Sequence, residues 1–172
     1  MGIRYNKIEG LHQREIVLLK SFPCKYGKCS FCNYIEDNSL DEKMIDTVNF
    51  EVLKNITGEY GVLEVINSGS VFELTPKTLA EIKRIVIEKN IKILYFEIYY
   101  GYIKRLQEIR KYFNGVEIRF RMGLETFDNN YRIKVFNKNF FLSEDQLLEL
   151  RKEIYSVCLL VCTQGQTKEM MN

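Results

Sequence analysis

The sequence lacks the features that mark membrane-spanning, exported and nucleic-acid-coating proteins. Its longest apolar runs, such as residues 157–162, fall far short of the roughly 20 residues that cross a bilayer, and the N-terminal residues do not resemble a signal peptide. The 25 Lys and Arg nearly balance the 23 Asp and Glu, giving a formal net charge of +2. This balance fits a nucleotide-sized ligand better than a long polyanion. We therefore expect a cytoplasmic protein with no membrane partner, and do not expect it to bind intact nucleic acid.

Internal repeats, low-complexity tracts and linkers are also absent from the sequence. Hydrophobic residues make up 46% of the 172 residues and charged residues 28%. This proportion is enough to bury a core and too apolar for a disordered chain. The length predicts a single domain over residues 1–172.

Three of the five cysteines, Cys24, Cys29 and Cys32, fall within nine residues. This crowding is unfavourable for a disulfide framework and, in a reducing compartment, indicates metal binding. The other two, Cys158 and Cys162, lie in an apolar run and are interpreted as buried small hydrophobic residues.

Histidine is nearly absent, which bears on the choice of metal. The spacing C-x4-C-x2-C supplies three thiolates, but a structural zinc site needs a fourth ligand, and the single histidine, His12, lies twelve residues before Cys24. An iron–sulfur cluster with three cysteine ligands leaves one iron open to another ligand. The spacing leaves a cluster, a zinc ion and unligated structural thiols as alternatives.

Apolar β-branched runs alternate with helical patterns, which is typical of βαβ units around a parallel sheet. Five strands are predicted, the last of them buried on both faces: residues 15–20, 62–66, 91–99, 116–122 and 157–163. Capping signals and helical spacing predict helices that begin at Ser39 with a Ser39–Glu42 capping box, at Thr75-Pro76, and at residues 104, 128 and 143. Periodicity does not distinguish an open doubly wound sheet from part of an α/β barrel.

Polar or glycine-rich residues stand at the end of each predicted strand, where both kinds of α/β fold bind ligands. They are residues 24–32, 67–70, 97, 123–126 and 163–165. We expect these residues to converge on one face of the protein.

The motifs in this order resemble the radical S-adenosylmethionine (SAM) superfamily. An aromatic residue, Phe31, precedes the last cysteine of the loop; residues 67–73 are similar to the segment that meets the methionine end of SAM. Residues 122–126, with 130–132 and 137–138, resemble the fourth-strand signature of the branch with the archaeosine-forming radical enzyme, the elongator catalytic subunit and methylthiotransferases. The resemblance implies a radical SAM core, a partial (β/α) barrel of about five to six parallel strands. The first cysteine gap is one residue longer than the commonest spacing, and the C-terminal part of the core is expected to be short.

The resemblance also implies roles for individual residues. Cys24, Cys29 and Cys32 would hold a 4Fe-4S cluster whose open iron binds SAM, and Phe31 would shield the cluster and lie against the adenine unless it is a core aromatic. The residues expected to meet the methionine group, unless they form an ordinary turn, are Asn67, Ser68, Gly69 and Ser70.

Three charged side chains are further candidates for SAM binding. Glu97 and Glu125 would accept hydrogen bonds from ribose hydroxyls, unless they pair with Arg119 or Arg121. Arg132 would pair with the methionine carboxylate or be a solvated cation. No residue is assigned to catalysis.

The implied reaction is reductive cleavage of SAM to a 5'-deoxyadenosyl radical, with the electron supplied by a donor such as flavodoxin or ferredoxin. Tyrosines 95, 99, 100 and 102 cluster near the third strand, either as a platform for a planar base or as packing. The predicted substrate is a small nucleoside, with release of queuine from queuosine or its nucleotide in a salvage reaction. The alternatives are an activase or maturase acting on a protein or tRNA and, from another class, a zinc-stabilised RNA-binding module.

Overall fold

The computed structural model describes residues 3–168. One sheet contains six strands: β1 (Tyr5–Ile8), β2 (Arg14–Leu19), β3 (Val62–Asn67), β4 (Ile93–Ile98), β5 (Glu117–Glu125) and β6 (Ser156–Leu159). Five helices accompany it: α1 (Glu42–Leu53), α2 (Pro76–Glu88), α3 (Leu106–Tyr112), α4 (Asn129–Lys134) and α5 (Glu144–Glu153). Within the described range, none of these helices combines the length and apolarity needed to cross a membrane. The predicted single domain also includes residues 1–2 and 169–172, which lie outside the described residues.

The strands lie in the sheet in the same order as in the chain, from β1 to β6. β1 is antiparallel to β2, and the pairs from β2 to β6 are parallel. A doubly wound sheet reverses its strand order at a switch point, whereas right-handed crossovers between strands in this order place the helices on one face. The predicted partial (β/α) barrel is therefore confirmed, with five parallel strands and one antiparallel strand that was not predicted.

Alternation along the strands separates a helix-covered face from a concave face. The helix-covered face carries the hydrophobic core, to which β4 and β5 contribute Leu94, Phe96, Ile98, Phe120, Met122 and Leu124. The concave face is polar: the buried carboxylate of Glu64 pairs with Arg14 and with Arg121. Arg119 donates to the hydroxyl of Tyr95 at 2.7 Å on the same face. Ligands on this face therefore meet charged side chains rather than core residues.

Local hydrogen bonds determine where the helices begin. Thr75 caps α2 as predicted, because its Oγ1 accepts a hydrogen bond from the Thr78 amide at 3.0 Å. The predicted Ser39–Glu42 capping box is wrong. Asp41 is the N-cap of α1, and its Oδ1 accepts from the Met44 amide at 3.0 Å.

The last strand differs from its prediction in length and in burial. β6 ends at Leu159, which is 40% exposed, and both Cys158 and Cys162 are exposed. The predictions of a strand over 157–163 buried on both faces, and of two buried cysteines, are wrong. The physical reason is that, among residues 3–168, β6 has a neighbouring strand on one side only.

A buried carboxylate joins β1, β2 and the turn before β3. Glu15 is fully buried and accepts hydrogen bonds from the Tyr5 hydroxyl at 2.8 Å and from the amides of Thr57 and Gly58, each at 2.7 Å. Burial alone would raise its pKa, but these hydrogen bonds outweigh burial and hold the pKa of Glu15 below its ordinary value. Glu15 therefore stabilises the end of the sheet opposite the candidate site.

Candidate active site

A cavity of about 800 Å³ lies at the carboxyl ends of the parallel strands. The cysteine loop and the ends of β3, β4, β5 and β6 line it, as expected from the polar segments of the sequence. The lining residues that carry polar or reactive groups include Cys24, Cys29, Cys32, Asn67, Ser68, Glu97, Glu125, Lys138 and Cys158. Residues 163–165 do not line the cavity. Cys158 and Leu160 form that part of the wall instead.

The three clustered cysteines all line this cavity and are partly exposed. Within the described part of the chain, no three His, Cys, Asp or Glu side chains converge as a single metal ion requires. A zinc site closes four ligands around one ion, whereas the cysteines of an iron–sulfur cluster bind separate irons. This donor set fits a cluster better than a zinc ion. Burial raises the pKa of the Cys29 thiol, and the positive charge of Lys138 opposes that rise.

The chain after α4 is hydrogen-bonded to the cysteine loop. We call residues 135–139 the clamp segment. Its bonds to the loop run from Ser30 N to Phe136 O (3.0 Å), Ser30 Oγ to Val135 O (2.7 Å), Asn137 Nδ2 to Lys28 O (2.6 Å), Asn139 N to Tyr26 Oη (3.1 Å) and Tyr26 Oη to Asn137 O. The clamp segment therefore fixes the position of the loop that carries the thiols.

Gly69 brings the loop after β3 against the cysteine loop. A Cβ atom on Gly69 would lie 3.3 Å from both Cα and Cβ of Cys24 and 2.7 Å from Oε2 of Glu73. The buried Glu73 carboxylate accepts hydrogen bonds from the Lys25 amide at 3.0 Å and from the Ser70 amide. Burial raises the pKa of Glu73. Glu73, to which the sequence assigned no role, therefore joins the two loops.

Asn67, Ser68 and Gly69 line the cavity, but Ser70 does not. Their polar side chains are buried and largely bonded within the protein. Ser68 Oγ lies 2.9 Å from Ser21 Oγ, and Asn67 Nδ2 donates to Ser70 O at 2.9 Å. Among the described residues, Oδ1 of Asn67 and Oγ of Ser70 are buried without a hydrogen-bond partner. The segment therefore retains two unused polar atoms, one of them on Asn67, which lines the cavity.

Glu125 and Lys138 form a buried ion pair in the cavity wall, with 2.7 Å between Oε1 and Nζ. β5 extends to Glu125, so Gly123 and Glu125 belong to the strand and not, as predicted, to the loop after it. Glu125 has φ of +67°, in the left-handed region that side chains disfavour. A Cβ on Gly123 would overlap the Glu125 carboxylate and lie 2.7 Å from Lys138 Nζ. Gly123 therefore makes room for the pair.

Glu97 lines the cavity, and within residues 3–168 its carboxylate takes part in no hydrogen bond. Burial, together with the negative charges of Glu64 and Glu125, raises the pKa of Glu97 to about 7 against the opposing charges of Arg121 and Lys138. An unpaired carboxyl group that titrates near neutrality is typical of a ligand-binding site. Neither Glu97 nor Glu125 pairs with Arg119 or Arg121.

Arg132 does not line the cavity. It is fully buried, and its Nε donates to Leu124 O at 3.0 Å, while its terminal nitrogens donate to Asn129 Oδ1 at 2.6 Å and to Thr126 O. Burial lowers the pKa of this guanidinium. Arg132 therefore holds the turn after β5 and is neither a solvated cation nor positioned for a ligand carboxylate. Lys138, for which the sequence predicted no role, is the cation in the cavity wall.

Aromatic side chains line part of the cavity. Phe31 is 37% exposed, with its ring centroid 5.3 Å from that of Phe136 in an edge-to-face contact and 5.9 Å from Lys138 Nζ. Of the four clustered tyrosines, the cavity lining includes Tyr99, which stacks on Tyr26 at 5.8 Å. The others pack within the protein, Tyr95 on Tyr155, Tyr100 on Phe140 and Tyr102 on Phe72.

Comparison with solved structures finds that of the queuine lyase from Clostridium spiroforme bound to SAM and queuine. The two chains superpose with a TM-score of 0.93 and are 50% identical in sequence, and the match covers 98% of this chain and 72% of that chain. No family model and no curated protein sequence matches the chain.

Proposed function

We propose that this chain, which belongs to the queuine lyase family of radical SAM enzymes, releases queuine from queuosine or its nucleotide. The observation that carries the proposal is that three thiols, the Gly69 loop packed on Cys24, and the unpaired carboxylate of Glu97 meet in one cavity at the strand ends. When bound at a 4Fe-4S cluster, SAM supplies the 5'-deoxyadenosyl radical of this family.

Cys24, Cys29 and Cys32 hold the cluster in this proposal. Their partial exposure to the cavity leaves room for an inorganic group, and the contact between Gly69 and Cys24 brings the loop after β3 beside it. The ammonium of Lys138 acts on the Cys29 thiol and would offset part of the negative charge of its thiolate. The donor set and its surroundings therefore suit a cluster with an open coordination position.

Lys138 takes the role that the sequence had assigned to Arg132. Its ammonium is the cation of the cavity wall, which suits it to a carboxylate such as that of SAM. Glu97 and the second carboxylate oxygen of Glu125 remain available to ribose hydroxyls. The close packing of Gly69 on Cys24 brings residues 67–69 beside the thiols, where the methionine group would lie, and Phe31 covers the adenine.

A nucleoside is the substrate class that the cavity supports best. Its volume of about 800 Å³ lies near the upper end of small-molecule sites and accommodates SAM with a nucleoside beside it. Tyr99 offers an aromatic face to a planar base. We further propose that the enzyme acts in the cytoplasm, where thiol ligands stay reduced.

The test is incubation of the anaerobically purified protein with queuosine, SAM and a chemical reductant. We expect queuine and 5'-deoxyadenosine from the wild-type protein and neither product from Cys29→Ala. Formation of 5'-deoxyadenosine with a protein or tRNA substrate alone would favour the activase or maturase. Stoichiometric zinc without iron or sulfide would favour the RNA-binding module.

A further inference from the structure

We propose that Cys158 is a hydrogen-atom donor, whose thiol reduces the sugar radical that remains when the base departs. The inference rests on the proposed function, because a radical that cleaves a nucleoside leaves an odd electron on one of the two fragments. It adds a residue that acts after the cleavage and states the source of the last hydrogen in the product.

Cys158 belongs to the cavity lining, although it lies on an edge strand. It pairs with Gly123 on β5, and both residues line the cavity. Its side chain is exposed there, whereas Cys162 does not line the cavity. The cysteine loop follows β2, and three strands lie between β2 and β6 in the sheet. The three thiols of that loop are the candidate cluster ligands, so Cys158 is the thiol of the cavity lining that has no assigned role.

The cavity onto which Cys158 opens has independent features of a ligand site. Asn67, in the same lining, is 2% exposed, and among residues 3–168 its Oδ1 has no hydrogen-bond partner. The Glu97 carboxylate, also in the lining, accepts no hydrogen bond within that range. Buried polar groups are nearly always hydrogen-bonded, to protein or to another molecule. A nucleoside that satisfies these groups would share the cavity with the thiol.

The charges around Cys158 keep its thiol protonated. The groups that act on it include Glu64 on β3, Glu97 on β4, and Arg121 and Glu125 on β5. Burial raises the pKa of the Cys158 thiol, and the three carboxylates add to this rise against the one guanidinium. A cysteine is a nucleophile or a metal ligand only as the thiolate. Cys158 therefore keeps its hydrogen at neutral pH, which suits it to hydrogen-atom transfer.

The transfer conserves atoms and electrons. The base leaves with the bonding electron pair and a proton from a sugar hydroxyl, so the odd electron stays on a sugar carbon. The S–H bond of Cys158 then breaks homolytically, and a C–H bond forms on that carbon. Because the S–H bond of a thiol is close in strength to a C–H bond beside oxygen, this exchange costs little energy. One electron from a carrier such as reduced flavodoxin or ferredoxin, with one proton from water, restores the thiol.

The experiment traces this hydrogen in deuterated water, with the cluster-loaded enzyme, queuosine, SAM and titanium(III) citrate, a reductant without thiols. Thiol hydrogens exchange with the solvent, whereas the C–H hydrogens of 5'-deoxyadenosine do not. We expect carbon-bound deuterium in the wild-type sugar product, trapped with borohydride and analysed by mass spectrometry, and equal amounts of queuine and 5'-deoxyadenosine. Cys158→Ser should release queuine in a single turnover but lose this deuterium, because its O–H bond is too strong to break. Cys162→Ser is the matched control and should behave like the wild type.

A second measurement does not depend on turnover. In alkylation of the cluster-loaded protein by iodoacetamide, saturating queuosine should slow modification of Cys158 and leave that of Cys162 unchanged.

The outcomes separate the donor role from the proposed function. Queuine release without deuterium in the wild-type sugar product, or with wild-type deuterium content in the Cys158→Ser product, would overturn the donor role and leave the proposed function intact. Equal alkylation of Cys158 with and without queuosine would also overturn it, even if the serine variant failed to fold. A cluster-loaded wild type that releases no queuine would instead contradict the proposed function.

Discussion

Lys138 donates a hydrogen bond to Oε1 of Glu125 at 2.7 Å and joins the clamp segment to the end of β5. Both side chains are buried in the wall of the candidate site, and Gly123 gives them room. Burying either charge alone is costly, so each depends on the other. The ion pair therefore couples the position of the cysteine loop to that of the strand end.

Replacing Lys138 by methionine should weaken both the fold and the binding of SAM. The change leaves the Glu125 carboxylate buried without a partner, so we expect a loss of about 3–5 kcal/mol in the free energy of unfolding. Urea denaturation and equilibrium binding of SAM measure the two effects. Lys138→Met/Glu125→Gln should recover much of the stability without recovering SAM affinity. Unchanged stability in the single variant would contradict a buried ion pair.

Replacing Gly69 by alanine should lower the iron content of the protein. The added Cβ meets Cys24 and the Glu73 carboxylate, so the two loops must separate. Iron and sulfide analysis with the visible absorbance spectrum measures the effect after anaerobic reconstitution. Gly10→Ala is the control, because nothing lies within 4 Å of a Cβ at that position. Equal iron contents in the two variants would show that the contact is unimportant for the metal site.

Replacing Cys29 by alanine should abolish the cluster and leave the α/β fold largely intact. The cysteine lies in a loop outside the hydrophobic core, so its loss removes a metal ligand and little packing. Iron analysis and far-ultraviolet circular dichroism measure the two properties separately. Parallel loss of metal and of secondary structure would indicate a structural zinc site.

Replacing Glu97 by glutamine should stabilise the apoprotein above neutral pH. Burial raises the pKa of Glu97 to about 7, so between pH 4.5 and 7 the unfolded chain releases a proton that the folded protein retains. Stability of the wild type therefore falls as the pH rises through this window, whereas the variant does not share this loss. We expect the variant to be more stable by about 1–3 kcal/mol at pH 8.

Urea denaturation at pH 4 and pH 8 checks the sign of this effect. The difference between the Glu97→Gln variant and the wild type should nearly vanish at pH 4, where the carboxyl is protonated in both states. Glu9→Gln, at an exposed position in the turn after β1, should show no comparable difference at either pH. A gap that widened toward low pH would be incompatible with a raised pKa.

Replacing Glu15 by glutamine should destabilise the protein at pH 7 by about 2–3 kcal/mol, because charged hydrogen bonds to Tyr5, Thr57 and Gly58 are lost. The pKa of Glu15 is lowered, so its stabilisation is present above pH 4.5 and is lost as the pH falls through the folded pKa. Urea denaturation at pH 7 and pH 3 should give a smaller gap at pH 3. SAM affinity should not change, since Glu15 lies at the opposite end of the sheet.

The sequence predicted the parallel strands and the convergence of their ends because apolar alternation and glycine positions are local signals. β1 was missed because its four residues, Tyr5–Ile8, mix polar and apolar side chains and pair antiparallel with β2. The prediction that β6 is buried was wrong, because the hydrophobicity pattern of a strand does not show whether the strand lies at the edge or in the centre of the sheet.

The roles of the charged residues in the site could not be predicted, because they depend on contacts between residues that are distant in the sequence. A carboxylate at Glu125 implied a partner, but the partner, Lys138, is thirteen residues away across a helix and a turn. Arg132 was assigned to a ligand because its type suited a carboxylate. Backbone carbonyls at Leu124 and Thr126 take its donors instead, and no residue pattern records carbonyl orientation.

β1 and β6 are the two edge strands of the sheet, and this arrangement affects the curvature of the cavity wall. A closed barrel has a radius fixed by its strand number and shear. In residues 3–168 the outer edges of β1 and β6 are not paired with each other, so no such closure sets the curvature. The curvature of the wall depends instead on the twist between neighbouring strands, so a small change of twist between two strands would change the width of the cavity.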